Sequence, residues 1–227
     1  VKDEICHKGE VTMKGITFGN LHSFRDLHLL LTSKEIGSPE VKVRKIEIEG
    51  ADSALDLTDF FGEPKYEDVT HKFNFSTIVP QAEFLTWFST VKNALHGKKL
   101  PIILDDDPLF YYMGRISVSS FTNDKNIGQI SVECDCEPYK YKLAKTVVSK
   151  AVTGTQAITL TNGRKRAVPE VTIATDTSIR IEYQGSNIWD LGSGSYTLPE
   201  LELVAGSNTV TVTGTGTITF EWQEGDL

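Results

Sequence analysis

The sequence predicts a mainly β protein of the α+β class, in which an N-terminal β-sheet or β-sandwich with one helix and a long hairpin precedes an antiparallel β-sandwich of jelly-roll type. Apolar and polar residues alternate along much of the chain, which is the period of half-buried strands. Only residues 81–95 show helical spacing. After residue 141, short apolar stretches separated by Gly or Asn carry fifteen threonines among residues 142–227. Two domains are therefore predicted, residues 13–141 and 142–227.

The composition is that of an ordinary globular protein, with 39% hydrophobic and 24% charged residues in a chain of 227. The net charge is −8, and it is spread over both predicted domains: 16 basic and 22 acidic residues precede the break, and 7 and 9 follow it. A nucleic-acid or anionic membrane surface needs a clustered basic excess, so neither partner is expected. No apolar run approaches the roughly 20 residues of a membrane span.

Strands of the first domain are predicted where apolar residues recur at every second position. Gly19-Asn20 predicts a turn because both residue types tolerate positive φ, and residues 32–40 are predicted to form a loop. Residues 1–12 are interpreted as an extension or an expression remnant, because Met13 has the context of a natural start. The predicted strands cover residues 16–18, 21–31, 41–48 with a bulge, 69–78, 101–104, 110–118 and 127–137.

The predicted helix covers residues 81–95. Pro80 favours its first turn, and Gly97 favours a left-handed cap at its end. Apolar residues recur at helical spacing and predict a stripe that a sheet must cover. That stripe contains Phe84, Leu85, Phe88, Val91 and Leu95.

A hairpin is predicted from residues 110–118 and 127–137, joined by a polar loop at residues 123–126. Its second strand is expected to end at Pro138, which has no N–H to donate to a ladder. Cys134 and Cys136 fall on one face of that strand. A metal site there would need a second pair of ligands, so we expect two buried core thiols.

The second domain is predicted to contain six short strands and Gly- or Asn-containing turns. Strands are predicted at residues 156–160, 170–174, 179–183, 197–203, 209–213 and 217–222. Turns are predicted at residues 162–163, 184–185, 206–208 and 214–216, the last of which closes a final hairpin.

The sequence contains no clear catalytic, cofactor or metal motif. Three adjacent carboxylates at residues 105–107 are hard ligands for a divalent cation, but a following proline favours a solvated turn. No Gly-x-Ser-x-Gly elbow, phosphate loop or dinucleotide fingerprint occurs, and Ser193 lies in a different, loop-like pattern. We therefore expect no enzyme activity, no catalytic residue, no cofactor and no metal.

Aromatic residues of the second domain leave two interpretations open. Exposed Tyr and Trp rings on a β-sandwich can stack on sugar rings, whereas buried ones only pack the core. Trp189 lies between turn-forming residues and is expected to be the most exposed. The candidate carbohydrate-facing residues are Trp189, Tyr183 and Tyr196, while Trp222 is the fourth aromatic of the set.

A series of short motifs follows a recognisable order along the chain. They are residues 14–18 (Lys-Gly-Ile-Thr-Phe), 46–52 with 55–57, the helix from Gln81, 104–108 (Leu-Asp-Asp-Asp-Pro), Tyr111-Tyr112, 132–139, 161–163 with 168–173, and 205–208. In this order and spacing they resemble the distal tail protein (Dit) family of long-tailed phages that infect Gram-positive bacteria. The similarity covers residues 13–227, although residues 51–54 depart from the glycine-rich turn common in the family.

The resemblance implies a structural protein of a phage or prophage virion, located at the distal end of the tail and assembled in the cytoplasm of the bacterial host. An N-terminal belt domain would form a homo-oligomeric, hexameric ring that links the tail tube protein to the tail-tip protein or baseplate. A galectin-like sandwich would project from its rim. The hairpin would supply the ring interface through Phe110, Tyr111, Tyr112, Ile116, Val118, Ile130 and Val132. The alternative function is carbohydrate binding or host adhesion through the C-terminal sandwich, with cell-wall saccharide as the partner.

Overall fold

The computed structural model describes residues 14–60, 62–77, 79–124 and 127–227, and these form two compact units. The first unit contains residues 14–37, 69–108 and 113–136. The second unit contains residues 38–68, 109–112 and 137–227. The domain boundary at residue 141 stays a prediction, and the grouping of residues 38–68 with the C-terminal part was not anticipated.

The described residues contain sixteen strands and one α-helix. The strands are β1 (Ile16–Phe18), β2 (Leu21–His22), β3 (Leu29–Glu35), β4 (Lys45–Ile46), β5 (Leu55–Asp56), β6 (Val69–Thr77), β7 (Lys99–Leu104), β8 (Phe110–Asp124), β9 (Ile127–Lys142), β10 (Thr146–Asn162), β11 (Glu170–Ala174), β12 (Ile179–Tyr183), β13 (Asn187–Leu191), β14 (Gly194–Thr197), β15 (Gly206–Trp222) and β16 (Gly225–Asp226). A 3₁₀ turn (Gln81–Glu83) leads into helix α1 (Phe84–Leu95). The predicted class, mainly β with one helix, is confirmed.

The first unit is built on a sheet with the strand order β2-β1-β7-β8-β9-β6-β3. β6 and β9 pair antiparallel from Val69 opposite Cys136 to Ser76 opposite Gln129. Alternation along β6 places every second side chain in the core, as predicted for this segment. Cys134 and Cys136 are fully buried, which confirms their predicted core position.

Helix α1 packs its buried stripe onto this unit. Trp87 is buried on that stripe and donates its indole N–H to the carbonyl of Leu27 at 2.7 Å. The sequence had assigned Leu85 to the stripe instead, and this was wrong because Leu85 is 73% exposed. Gly97 has φ 80°, which confirms the predicted left-handed cap. The buried positions, three or four residues apart, are Phe84, Trp87, Val91 and Leu95.

Three strand and loop predictions in the N-terminal half were wrong. The strand predicted at residues 21–31 is interrupted by a turn, because β2 ends at His22 and β3 begins at Leu29. β3 continues to Glu35, into the region predicted as a loop, because it pairs with β6 across a bulge. The strand predicted at residues 41–48 reduces to β4, a two-residue strand that pairs only with β5 among the described strands. Residues 41–48 are all exposed, so their alternation has no core behind it.

Pro138 does not end β9, contrary to the prediction. On the edge of β9 that pairs with β6, the paired residues stop at Cys136. Pairing on β9 resumes with β16, at Lys140 opposite Asp226. Pro138 lies in this interval, so its missing N–H removes no bond to β6 or β16. The predicted loop at residues 123–126 falls partly outside the described residues, and its first two residues belong to β8.

The second unit surrounds β15 with antiparallel partners in the order β13-β12-β15-β11-β14, while β10 pairs β15 over 17 residues. Along one edge, β15 pairs with β12 up to Thr213 and with β11 from Thr217 onward. The turn and final hairpin predicted at residues 214–216 are therefore wrong. Gly216, with φ 153°, permits this change of partner because a Cβ there would lie 2.4 Å from the carbonyl oxygen of Ala174.

One apolar cluster fills the second unit, and it takes side chains from β10, β11, β12 and β15. β11 and β12 coincide with the strands predicted at residues 170–174 and 179–183. The strand predicted at residues 197–203 is wrong beyond Thr197, where β14 ends. Among the described residues, no helix has the length and apolar character required to cross a membrane.

Candidate binding surfaces

The hairpin residues predicted to form a ring interface lie in two environments. Ile116, Val118, Ile130 and Val132 are buried in the first unit. Their strands, β8 and β9, are inner strands of the sheet, whose free edges are β2 and β3. The four side chains pack in the core of the first unit, and their part in a ring interface stays a prediction.

The other three predicted interface residues belong to the second unit and are half-buried. Tyr111 stacks on Tyr141 with ring centroids 5.5 Å apart. The ammonium group of Lys140 lies over the ring of Phe110, 4.5 Å from the ring centroid. Tyr112 is also engaged with neighbouring groups. These rings therefore already contact residues of their own chain.

The predicted carbohydrate-facing residues do not form a shared exposed platform. Tyr183 is only 3% exposed, and its hydroxyl lies 2.9 Å from the carbonyl of Glu202 and 3.0 Å from Oδ1 of Asn208. Trp189 and Tyr196 are half-buried and pack against the core of the second unit. Tyr183 thus cannot present its ring face to a ligand, and Trp189 is less exposed than expected.

The three adjacent aspartates are engaged with protein groups. A carboxylate oxygen of Asp105 accepts the N–H of Gly15 at 2.7 Å and lies 3.0 Å from Nε2 of His22. Asp106 pairs with Lys34. The backbone of Asp107 closes the turn on Leu104. Across the residues that the structure describes, no group of three His, Cys, Asp or Glu side chains is placed to hold a metal ion.

A cavity of about 170 Å³ in the second unit was not predicted from the sequence. We call it the tyrosine pocket, because Tyr66 and Tyr139 form an edge-to-face pair with ring centroids 5.9 Å apart. Four separate stretches of chain contribute to it, so no local motif could have revealed it. Its lining residues are Glu63, Pro64, Tyr66, Tyr139, Arg164 and Ala205.

Charged groups hold the tyrosine pocket in shape. Arg164 donates from Nη2 to the hydroxyl of Tyr66 at 2.8 Å. Glu63 lies 3.2 Å from Nε of Arg166, whose Nη1 donates to Glu202 at 2.8 Å. The hydrogen bond to Glu202 and the ion pair with Glu63 raise the pKa of Arg166, which stays charged. The pocket thus has an aromatic wall, the guanidinium of Arg164 held against Tyr66, and a carboxylate neutralised by a second arginine.

Tyr139 keeps its proton at neutral pH. Burial is the main reason why the pKa of Tyr139 lies above its ordinary value, and the neighbouring Tyr66 and Glu63 add to the effect. Beside it, Lys165 donates to the hydroxyl of Tyr141 at 2.6 Å, and burial lowers the pKa of Lys165. The Tyr139 hydroxyl is therefore a neutral donor and acceptor at the pocket wall.

A second surface of the same unit carries several exposed large apolar side chains among charged ones. We call residues 43–60 the apolar arm. They contain β4 and β5 and lie in sequence between Val41 and Tyr66, which form an antiparallel bridge. Contiguous exposed apolar residues are typical of protein–protein contact sites. Five large apolar side chains of the arm are 48–72% exposed: Val43, Ile46, Ile48, Leu55 and Phe60.

The class defined by these observations is that of β-rich α+β proteins with several antiparallel sheets and one helix. Within this class, the fold is similar to the crystal structure of the Dit protein of phage SPP1, described as a paradigm of the hub adsorption apparatus in phages that infect Gram-positive bacteria. The TM-score is 0.70 with 14% sequence identity, and the alignment covers 92% of this chain and 98% of that chain. The resemblance to the Dit family is thereby confirmed at the level of the fold.

Two structures of the phage p2 baseplate in its activated conformation, one with Sr and one with Ca, also align with the chain. Their TM-scores are 0.47 and 0.43 at 7% identity, with 93% of this chain and 97% of each other chain covered. No protein-family model matches the sequence, and no curated protein sequence matches it significantly.

Proposed function

We propose that this protein is a structural hub at the distal end of a phage or prophage tail. In this role it forms a ring that links the tail tube to the tail-tip or baseplate apparatus, and it performs no catalysis. The observation that carries the proposal is the similarity to the SPP1 Dit fold, which extends over 92% of the chain and so includes both units. The proposed location is the virion, with assembly in the cytoplasm of the bacterial host.

The apolar arm supports self-assembly. An exposed group of large apolar side chains is costly for an isolated monomer and is explained when another surface covers it. β4 and β5 pair only with each other among the described strands, so each leaves an unpaired edge. We propose a second copy of this chain as the partner. A head-to-tail contact of this kind closes into a ring when its rotation angle divides a full turn.

The direct test is electron microscopy of the purified protein, with light scattering across a wide concentration range. The proposal expects rings with a central hole and a mass of six chains. The same measurements are repeated beside the tail tube protein, since a partner can template assembly. A protein that stays monomeric at every concentration, with and without the tube protein, would overturn the ring.

The arm is tested separately by Ile46→Glu combined with Ile48→Glu. Charges at both positions should abolish rings, because burying unpaired carboxylates against a neighbour is strongly unfavourable. The matched control is Val147→Glu combined with Ile188→Glu, which alters two equally exposed apolar residues of the same unit outside the arm. Rings that persist in the arm variant, or vanish equally in the control, contradict the assigned contact.

The second candidate function is host adhesion through carbohydrate binding. Trp189→Ala tests the residue that the sequence favoured, and loss of glycan binding in that variant would support it. The tyrosine pocket is the observation that now favours a saccharide most, and it lies at other residues.

A further inference from the structure

We propose that the tyrosine pocket binds one neutral hexopyranose ring. The inference goes beyond the hub function and does not depend on it. It rests on the convergence of two tyrosine rings with three kinds of hydrogen-bonding group around one small cavity in the second unit.

The size of the cavity limits its occupant. Its volume of about 170 Å³ is below the range of roughly 300–1,000 Å³ typical of drug-sized ligands. A single six-membered ring is therefore the appropriate occupant, and a longer saccharide would extend from it into solvent. Pro64 and Ala205 add apolar lining, and their side chains form no hydrogen bonds with the polar groups of the pocket.

The polar groups match a polyol. Among the described residues, the hydroxyl of Tyr139 has no hydrogen-bond partner, and Arg164 uses only Nη2 of its guanidinium nitrogens in a side-chain bond, to Tyr66. Glu63 engages Arg166 through Oε2, which leaves Oε1 to accept. A sugar ring presents hydroxyls that both donate and accept, and its C–H face packs on an aromatic ring.

The charge balance favours a neutral sugar. Glu63 is compensated by Arg166, and Arg166 is itself shared with Glu202. Arg164 carries its charge at the exposed rim, where solvent screens it. An apolar side chain of a partner protein fits less well, because it would leave the Tyr139 hydroxyl and Oε1 of Glu63 without partners on burial.

Saturation-transfer difference NMR on the full chain provides the test. The probes are glucose, galactose and N-acetylglucosamine, with glucuronate as an anionic comparison and N-acetylphenylalanine amide as an apolar side-chain comparison. A site for one ring of this size predicts a Kd on the order of 1 mM for at least one neutral hexose. Binding of the amide alone, or a stronger signal from glucuronate than from every neutral hexose, overturns the proposal.

Variants locate the site. Tyr139→Ala and Arg164→Ala should each weaken hexose binding at least tenfold, whereas Trp189→Ala should leave it unchanged. Arg164 is exposed, so Arg164→Ala is the variant least expected to disturb folding. Tyr139→Phe keeps the ring and should retain part of the binding. Binding that survives both alanine variants, or disappears in Trp189→Ala, overturns the assignment.

Ring assembly is measured on the same samples. Loss of sugar binding with intact rings in Arg164→Ala supports the pocket and leaves the hub unaffected. Absence of hexose binding in wild-type protein that forms rings overturns the pocket alone.

Discussion

Each unit uses a buried polar side chain to hold its loops, but the two side chains differ in chemistry. In the first unit, His22 is 5% exposed and its Nδ1 accepts the N–H groups of Phe24 and Arg25, both at 3.2 Å. Nδ1 must then be unprotonated, so Nε2 carries the proton and donates to Asp105. The first network thus contains an ionised carboxylate.

In the second unit, the corresponding residue is the amide Asn208. Its Nδ2 group lies 2.8 Å from the carbonyl oxygen of Val204 and 3.1 Å from that of Gly206. Oδ1 accepts the N–H of Val204 and lies within hydrogen-bond distance of the Tyr183 hydroxyl. The central side chain of the second network is therefore an uncharged amide.

The comparison shows that similar structural tasks give different responses to pH. Burial raises the pKa of Asp105, but the hydrogen bonds from His22 and Gly15 outweigh it, so the pKa lies below its ordinary value. A carboxyl whose pKa is depressed on folding stabilises the protein above its unfolded pKa, and the stabilisation is lost as pH falls through the folded pKa. Acid should therefore weaken the first network and spare the second.

The largest expected effect comes from Asn208→Ala. The substitution leaves buried carbonyl groups and the Val204 N–H without a partner, so the free energy of unfolding should fall by about 3 kcal/mol. The loss should be the same at pH 7 and pH 4. Chemical denaturation measures it, and peptide-resolved hydrogen exchange should show faster exchange around residues 203–210.

Asn187→Ala is the matched control, because its amide makes one long contact of 3.5 Å to Glu200 at the surface. We expect its free energy of unfolding to change by less than about 0.5 kcal/mol. Equal losses in the two variants would show that the buried network contributes nothing specific.

Sequence patterns predicted the elements whose alternation is backed by a core. β6, β11, β12 and α1 were all found where predicted, since each presents one apolar face to a buried cluster. The same alternation in residues 41–48 predicted a full strand, but only the two residues of β4 form one, and residues 41–48 face solvent. Periodicity reports the apolar pattern and not what covers it.

Other features depend on tertiary pairing. Glycines at residues 214 and 216 suggested a turn, but β15 continues through them because β10 supports its whole length. Pro138 was expected to end β9 because it has no N–H to donate. It lies between the residues of β9 that pair with β6 and those that pair with β16, so β9 continues through it. The tyrosine pocket joins Glu63, Tyr139 and Arg164, which no sequence spacing connects.

A smaller effect, and one that depends on pH, is expected from Asp105→Asn. The substitution keeps the shape of the side chain but removes the charge of the carboxylate, which accepts hydrogen bonds from Gly15 and His22. The free energy of unfolding at pH 7 should therefore fall by about 2 kcal/mol. The difference from wild type should begin to shrink below about pH 4, where the carboxyl of the unfolded chain becomes protonated, and should disappear as pH falls through the depressed pKa of the folded Asp105. Denaturation midpoints measured between pH 3 and pH 7 test this, since these values bracket the ordinary carboxyl pKa.

Asp190→Asn provides a control with a carboxylate at the surface. Asp190 pairs with Arg180 at 3.0 Å, and hydrogen bonding to Arg180 is the main reason why its pKa is also depressed. The pair is exposed to solvent, so its removal should change stability little at any pH. A pH-independent loss in Asp105→Asn would show that the first network acts through shape and not through charge.

The smallest effect is expected from Tyr183→Phe, which removes one hydroxyl from the second network. Oδ1 of Asn208 keeps the Val204 N–H as a donor, so the loss should be about 1 kcal/mol and less than that of Asn208→Ala. Tyr196→Phe is the control, because its hydroxyl donates to Gly192 at 3.2 Å from a half-buried position and should matter less. Because the amide of Asn208 is uncharged, the Tyr183→Phe loss should stay constant from pH 4 to pH 7. Denaturation at both pH values measures this, and a loss that grew or shrank with acid would mean that the second network is coupled to an ionisable group, which would end the contrast between the two units.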